Sequence, residues 1–187
     1  MKYVRRCSIA LLGALAVSVA VTGCGPSSGD AVVTKANSGG PAAAQTAPAK
    51  VGDTIGLKGI VSGTKADVTV VQVIDAPTAG DDVDALPPGK RYYAVQFRIA
   101  NTGAAAYDDA PSNGAKVVDS QGQTFAASLT YADTSAGPNF GTTLTIAPGD
   151  NALGFLVFQV PVDATIAKVQ FGMDSGMSDR TGQWTVA

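Results

Sequence analysis

One group of closely spaced acidic side chains in this sequence could bind a hard cation. Asp81, Asp82 and Asp84 lie within four positions, and Asp108-Asp109 could join them from another loop. Carboxylate oxygens are the ligands that Ca²⁺ takes in proteins. The segment lacks the bidentate glutamate and the register of a calcium-binding loop, and runs of charge are mostly solvated. We therefore keep Asp81, Asp82 and Asp84 as metal candidates and favour a solvated acidic loop.

Two methionines could supply thioether ligands to a soft metal. Met173 and Met177 are four positions apart, and sulfur is a ligand that Cu(I) prefers. Two sulfur atoms without a third soft ligand make a poor copper site, and methionine commonly fills gaps beneath loops. We therefore favour packing over copper binding for both residues.

Aromatic residues in the second half of the chain could anchor a ligand. Tyr131 and Phe140 lie in a loop-like segment, 131–141, of a kind that often carries functional side chains. The alternative, which we favour, is that this segment folds back as a lid over the edge of the domain. Trp184 shares a strand face with Val186, and we interpret it as a packing residue.

The first 24 residues have the pattern of a signal peptide that ends in a lipidated cysteine. An apolar run, 7–21, follows a basic start and precedes Thr22-Gly23-Cys24. This run is shorter than the ~20 residues of a membrane-spanning helix, although an uncleaved anchor is the alternative. Small residues before a cysteine suit cleavage and thioether formation. We predict cleavage after Gly23, lipid attachment at Cys24 and a location on the extracytoplasmic face of the cell membrane.

The composition excludes the common forms of enzymatic chemistry. The chain has no histidine, and all 15 of its acidic residues are aspartates. A chain without histidine cannot form a Ser-His-Asp or Cys-His centre or an imidazole metal site. Cys24 is the one cysteine that remains after cleavage, and lipid would cap its thiol. We therefore expect no enzymatic activity and no cofactor.

The charge balance narrows the choice of partners. Without the leader, 10 of the 13 lysines and arginines remain against 15 aspartates, a net charge of about −5. Binding to nucleic acid depends on clustered cations, so we expect no nucleic acid partner. An acidic surface also repels anionic headgroups. The N-terminal lipid is therefore the predicted contact with the membrane.

Residues 24–50 differ in composition from the rest of the chain. Glycine, proline, serine, alanine and threonine dominate, and large apolar side chains are scarce. Such a segment cannot bury enough apolar surface to offset the entropy of ordering it. We predict a leader over 1–23, a flexible tether over 24–50 and one folded domain over 51–187.

The predicted domain has the periodicity of short strands and no helical segment. Segments 54–61 and 67–74 flank a polar break that contains glycine, which indicates a hairpin. Apolar and polar side chains alternate over 91–99, as in a half-buried strand. Segment 152–160 is apolar on both faces, which indicates a central strand covered on both sides. The pattern predicts an all-β antiparallel sandwich of about nine strands.

Several of these segments, taken in order, resemble a known family. They are 89–103, which ends in Asn101-Thr102-Gly103, then 118–125, and then Pro148-Gly149-Asp150 ahead of 154–161. They are similar to a family of bacterial lipoproteins with one immunoglobulin-like domain of unknown function, catalogued as telomere-repeat-binding-factor-like. This family is related in fold to a secreted mycobacterial immunoprotective antigen. Over 51–187 the resemblance implies an immunoglobulin-like β-sandwich of about 7–9 strands, and it implies no catalytic residues.

The turn residues of these motifs have a structural explanation. Asn101 and Gly103, and also Gly149 after Pro148, are residue types that adopt the left-handed backbone of tight turns. We therefore predict left-handed turns at both places.

Two classes of function stay open. The one we favour is a non-enzymatic binding or interaction module, displayed on its lipid tether, with a protein or an envelope polymer as partner. Such a module should expose an apolar or aromatic patch larger than a monomer normally shows. The alternative is a carrier or sensor of a small ligand or Ca²⁺, with Asp81, Asp82 and Asp84 as candidate ligands. The sequence does not identify the ligand-binding residues.

Overall fold

The computed structural model contains two five-stranded β-sheets and describes residues 34–35, 48–80, 86–128 and 133–186. In chain order, the first strands are β1 (Thr34–Lys35), β2 (Ala49–Lys50), β3 (Thr54–Lys58), β4 (Lys65–Asp75), β5 (Lys90–Asn101) and β6 (Tyr107–Asp109). A short helix, α1 (Pro111–Gly114), precedes β7 (Ala115–Asp119), β8 (Thr124–Ala126), β9 (Leu144–Ile146), β10 (Asn151–Pro161), β11 (Ile166–Gly172) and β12 (Thr181–Thr185). A 3-10 turn, Asp174–Gly176, lies between β11 and β12.

The strand order defines a β-sandwich. Sheet A has the order β1-β3-β4-β5-β10 and sheet B has the order β2-β12-β11-β7-β8, with β6 and β9 as a separate pair. Neighbouring strands in the described ranges are antiparallel, apart from β2, which runs parallel to β12. The prediction of an all-β, immunoglobulin-like antiparallel sandwich is confirmed. The described strands outnumber the predicted ones because several are only two or three residues long.

The main core lies between the two sheets and is rich in aromatic side chains. Phe97 of β5 packs against Phe171 of β11, with ring centroids 5.4 Å apart, and against Trp184 of β12 at 6.4 Å. All three rings are fully buried. The indole N–H of Trp184 donates to the backbone carbonyl of Asp53 at 2.9 Å. Trp184 is therefore the packing residue that the sequence indicated.

A second apolar cluster covers part of the outer face of sheet A. It consists of Tyr92 and Ala94 of β5 with Phe155 and Val157 of β10. The alternation in β5 predicted exposure on this face, and the prediction fails for Tyr92 and Ala94, which are both buried. The loop after β4 and the loop before β9 supply Leu86 and Ala136 to the same cluster. Loops that cover a strand from a distance leave no trace in the periodicity of the strand itself.

Strand β10 lies at the end of sheet A, although its two apolar faces predicted a central strand. Both faces are covered, one by the main core and the other by the second cluster. Short segments protect its outer edge: the N–H of Phe155 donates to the carbonyl of Pro138 at 2.9 Å, and that of Ser128 donates to the carbonyl of Val157 at 2.7 Å. The apolar pattern reports covered faces, and it carries no information about which strand lies alongside.

The N-terminal part of the chain lies mostly outside the described residues. Two short strands, β1 and β2, lie within the range 24–50 that the composition assigned to a tether. The leader, Cys24 and the predicted cleavage after Gly23 are outside the described ranges, so the boundaries 1–23, 24–50 and 51–187 stay predictions. Within the described ranges, no helix has the length and apolar character that crossing a membrane requires.

Candidate functional site

A pocket of about 180 Å³ opens at the end of the sandwich where β3, β5 and β11 finish. We call it the end pocket. Its wall comes from three separate parts of the chain: the β3–β4 loop, the segment from the β5–β6 connection through β6, and the residues after β11. The lining residues are Val61, Thr64, Ala105, Ala106, Tyr107, Asp108, Asp109, Met173 and Asp174. The lining of the site therefore combines mostly apolar residues with three aspartates.

Asp109 connects β6 to the 3-10 turn. Its Oδ1 accepts hydrogen bonds from the backbone N–H of Ser175 at 2.8 Å, from the Ser175 hydroxyl at 3.0 Å and from the N–H of Ala110 at 2.7 Å. A carboxylate with several donors on one oxygen is held in one orientation. Asp109 therefore fixes the two walls of the end pocket relative to each other.

Asp174 connects the 3-10 turn to the β3–β4 loop. Its Oδ2 accepts a hydrogen bond from the N–H of Ile60 at 2.7 Å. Asp174 and Ser175 have φ angles of 53° and 57°, a left-handed backbone that is uncommon for residues other than glycine. The hydrogen bonds to Ile60 and Asp109 hold this conformation. They place the Asp174 carboxylate in the wall of the pocket.

Asn101 holds the β5–β6 connection with its side chain. Its amide N–H groups donate to the carbonyls of Ala105 and Ile146, both at 2.9 Å, and its Oδ1 accepts from the N–H of Gly103 at 2.9 Å. Neither Asn101 nor Gly103 has a positive φ. The predicted left-handed turn at these residues is therefore wrong. Gly103 is instead packed tightly, since a Cβ there would overlap the carbonyl oxygen of Gly63 in the β3–β4 loop.

Tyr107 is a buried tyrosine in the wall of the end pocket. Its hydroxyl donates to Asp109 Oδ2 at 3.4 Å. The pKa of Tyr107 is raised far above its usual value of 10.0, mainly because the phenol is buried. The charge of Asp109, this hydrogen bond and the charge of Asp174 raise it further, in that order. The phenol therefore stays neutral and acts as a hydrogen-bond donor in the pocket.

We expect the protein to lose stability at high pH through its buried tyrosines. Burial and the nearby charge of Asp75 raise the pKa of Tyr93 from 10.0 to about 12, against the opposing effect of Arg91. Folding therefore favours the neutral phenol, and this contribution is fully present below pH 10 and is lost as the pH rises through about 12. The free energy of unfolding should fall in that window by up to ~1.4 kcal/mol per pH unit for each tyrosine involved.

Urea unfolding at half-unit steps from pH 9 to 12 measures this slope. The variant Tyr93→Phe should show a shallower slope than the wild type, because it has no phenol to ionise. Equal slopes for the two proteins would contradict the assignment to Tyr93.

Exposed apolar side chains surround the opening of the end pocket. Ile60 and Val61 of the β3–β4 loop are each 63% exposed, and Met177 after the 3-10 turn is 71% exposed. Ile60 and Met177 are both hydrogen-bonded to Asp174 through their backbone N–H groups, at 2.7 and 3.0 Å. We call Ile60, Val61 and Met177 the apolar rim. No sequence pattern singled out Ile60 or Val61, because they end an ordinary strand segment.

The structure separates the two methionines. Met173 is 2% exposed, belongs to the main core and is also one of the residues that line the end pocket. Met177 is on the surface. One methionine packs and the other is exposed, so the chain does not place them as a pair of copper ligands.

Only some of the candidate calcium ligands lie in the part of the chain that the structure describes. Asp81, Asp82 and Asp84 lie outside the described residues. In the ranges that are described, no group of three or more Asp, Glu, His or Cys side chains is arranged to hold a metal ion. Asp108 and Asp109, which were considered as additions to that cluster, line the end pocket with Asp174 instead.

Phe140 lies over the edge of sheet A as the lid interpretation predicted. It is buried, and its ring is so close to Gly154 that a Cβ at that glycine would lie 2.8 Å from it. The N–H of Phe140 also donates to the carbonyl of Phe155 at 3.1 Å. Phe140 is therefore a packing residue, and Tyr131 lies outside the described ranges.

Sequence reasoning assigned no role to Asp174 or Tyr107, the two residues that complete the site. The one local signal is the run Asp174-Ser175-Gly176, three turn-favouring residues directly after a strand. It indicates a turn without indicating what the turn contacts.

Comparison with solved structures finds several similar proteins, and the first of those named here supports the fold. The secreted protein MPT63 of Mycobacterium tuberculosis matches with a TM-score of 0.53 and 16% sequence identity, covering 76% of this chain and 100% of that chain. The yjhA protein of Bacillus subtilis matches with a TM-score of 0.49 and 14% identity, covering 74% and 99%. A candidate lipoprotein of the same organism, ycdA, matches with a TM-score of 0.47 and 14% identity, covering 70% and 38%.

Comparison of sequences shows the family. No curated protein matches the chain at a significant level. The family profile described as "Domain of unknown function (DUF4352)" matches residues 57–181, which is more than half of the chain and includes every residue that lines the end pocket. The resemblance that the sequence motifs indicated is confirmed. The chain belongs to the DUF4352 family.

Proposed function

We propose that this protein is a non-enzymatic interaction module that binds its partner through the end pocket and the apolar rim. The observation that carries this proposal is the position of Ile60, Val61 and Met177, which are largely exposed around one concave site. Single exposed apolar side chains are ordinary on protein surfaces. Apolar side chains grouped around a pocket with a few polar groups are typical of binding sites.

The proposed location is the extracytoplasmic face of the cell membrane, with lipid on Cys24 as the anchor. The leader sequence supports it, because an apolar run of limited length ends in Thr22-Gly23-Cys24. MPT63, the structural neighbour with the same fold, is itself a secreted protein. A domain displayed on the outside of the membrane is accessible to protein and envelope-polymer partners.

Calcium transport or sensing is less well supported. The described carboxylates do not form a group that could hold a metal ion. The end pocket has three carboxylates, whereas Ca²⁺ takes about 6–8 oxygen ligands.

A photo-crosslinking amino acid at position 61 tests the proposal in intact cells that express the full-length chain. We expect discrete adducts with a partner at position 61 and none at position 162. Val162 is the matched control, because it is apolar, 60% exposed and lies beside Gly89, at the other end of β5 from the end pocket. A second variant, Ile60→Ser with Met177→Ser, should reduce crosslinking at position 61 more than about tenfold, as loss of anchoring apolar contacts does in other interfaces.

Two results would contradict the proposal. One is equal crosslinking at positions 61 and 162, which would indicate unspecific contacts. The other is unchanged crosslinking at position 61 in the double variant.

A further inference from the structure

We propose that the outer edge of β3 is a binding surface for residues 31–33 of the predicted tether, which continue β1 along this strand. Sheet A ends at β3 on this side, apart from the two residues of β1. Strand β1 is antiparallel to β3, with Thr34 opposite Ile55. The inference goes beyond the proposed function, because it concerns a different surface and a different occupant.

The backbone groups of every second residue in β3 point to this outer edge. The N–H of Gly59 donates to the carbonyl of Thr64 at 3.1 Å, one step beyond the last pair of the β3–β4 ladder. Backbone groups in an antiparallel ladder point alternately to its two sides. Counting back from Gly59, the groups of Leu57 and Ile55 therefore also face β4. The residues whose backbone groups face the outer edge are Thr54, Gly56 and Lys58.

The part of the outer edge beyond Ile55 is suited to another strand. Gly56 and Lys58 are both exposed. Among the described residues, the pairing of β1 with β3 ends at Ile55. The N–H and C=O groups along the edge of a sheet are a template for the addition of a strand. The occupant of this part of the edge must therefore be an extended segment.

Residues 31–35 have the composition and the length of a strand that fits the outer edge. They read Ala-Val-Val-Thr-Lys, and segments rich in turn-forming residues, 29–30 and 37–41, flank them. Valine and threonine favour extended backbone. The register of β1 places Ala31 opposite Lys58, so the five residues of this segment match the five residues of β3.

The same register gives the apolar side chains of the segment suitable neighbours. Val32 comes opposite Leu57, which is 3% exposed and belongs to the main core. Val33 comes opposite Gly56, which has no side chain to compete for space. The covalent link to Thr34 keeps the local concentration of this segment high. That link favours residues 31–33 over a strand from another molecule.

The pairing determines where the tether leaves the domain. An antiparallel continuation from Thr34 runs toward Gly59 and the apolar rim. Cys24, the proposed site of lipid attachment, is seven residues before Ala31, so at most about 25 Å of extended chain separates the two. With lipid on Cys24, the end pocket is therefore at the end of the domain nearest the membrane. This consequence rests on the proposed location, whereas the pairing itself does not.

Hydrogen exchange of the backbone amides, followed by NMR of the isotope-labelled full-length protein in detergent micelles, tests the pairing. In the proposed register the N–H of Val33 faces Gly56, whereas the N–H of Val32 faces solvent. We expect Val33→Pro to speed exchange of the Gly56 and Lys58 amides about tenfold or more, because proline cannot donate to the ladder. Val32→Pro, the matched control, should change these rates less than about twofold, since no ladder hydrogen bond is lost.

The amides of Ile55 and Leu57 face β4 and should stay protected in all three proteins, which would show that sheet A is folded. Equal exchange of Gly56 and Lys58 in the wild type and in Val33→Pro would overturn the inference. Equal loss of protection in both proline variants would overturn the register. Protection that disappears on dilution would assign the edge to a second copy of the chain, and would also overturn the inference. The crosslinks at position 61 test the proposed function separately.

Discussion

Replacing Trp184 with alanine should lower the free energy of unfolding by about 3–5 kcal/mol, the usual range for loss of a large buried aromatic ring. Trp184 is fully buried and packs edge-on against Phe97. A Cβ on Gly182 would lie 2.8 Å from the indole, which shows how closely the ring fills its space. The substitution removes this packing and also leaves the carbonyl of Asp53 without the indole donor.

Equilibrium urea unfolding at pH 7 measures the loss. Trp184→Phe separates the two contributions, because it keeps an aromatic ring and removes the hydrogen bond to Asp53; it should lose less than Trp184→Ala. Leu153→Ala is the surface control, since Leu153 is 49% exposed, and it should cost less than about 1 kcal/mol. A loss below about 1 kcal/mol for Trp184→Ala would show that the two sheets do not depend on this residue.

The fold could be predicted from the sequence because strand periodicity is a local property. Tyr93 and Phe97 lie two and six positions into the segment 91–99, and that spacing alone places both on one face. The failures at Tyr92 and in β10 have a common cause. The residues that cover them come from distant loops, and the periodicity of a strand does not report what a loop elsewhere in the chain will cover.

The candidate site could be predicted only in part, for the same reason. Asp108-Asp109 was noticed as an acidic pair, but only as an addition from another loop to the calcium candidates Asp81, Asp82 and Asp84. The structure instead pairs Asp109 with Ser175, 66 positions away. A hydrogen bond from a backbone N–H in one loop to a carboxylate in another depends on the register of both strands. Neither residue type nor spacing encodes that contact in a form that can be recognised from one sequence.

Gly103 is important for the fold, as its position in the sequence suggested, but the reason differs from the predicted one. The sequence suggested a glycine that is needed for left-handed backbone. In the structure its φ is not positive, and its N–H donates to the carbonyl of Lys65 at 3.1 Å while the next residue, Ala104, donates to Gly63 at 3.0 Å. The glycine lets two backbone segments approach each other. Gly149, by contrast, has a φ of 87° and is the left-handed turn residue that was predicted.

Because the two glycines are needed for different reasons, they should differ in whether asparagine costs more or less stability than alanine. At Gly103 an added Cβ would overlap the carbonyl oxygen of Gly63 and lie 2.7 Å from the backbone nitrogen of Lys65. Gly103→Ala should therefore lower the free energy of unfolding by about 1–3 kcal/mol, as overpacking does. Gly103→Asn should cost at least as much, because asparagine has the same Cβ and more atoms beyond it.

At Gly149 nothing lies within 4 Å of an added Cβ, so only the backbone conformation matters. Gly149→Ala should cost about 1–2 kcal/mol for a left-handed residue with a Cβ, and Gly149→Asn should cost less because asparagine tolerates this conformation. Urea unfolding of the four variants gives the comparison directly. We expect asparagine to be better tolerated than alanine at Gly149 only. If the same were found at Gly103, the β5–β6 connection would not approach the β3–β4 loop as closely as the structure shows. That contact positions the wall of the end pocket, so the same result would also remove the structural basis for the binding site.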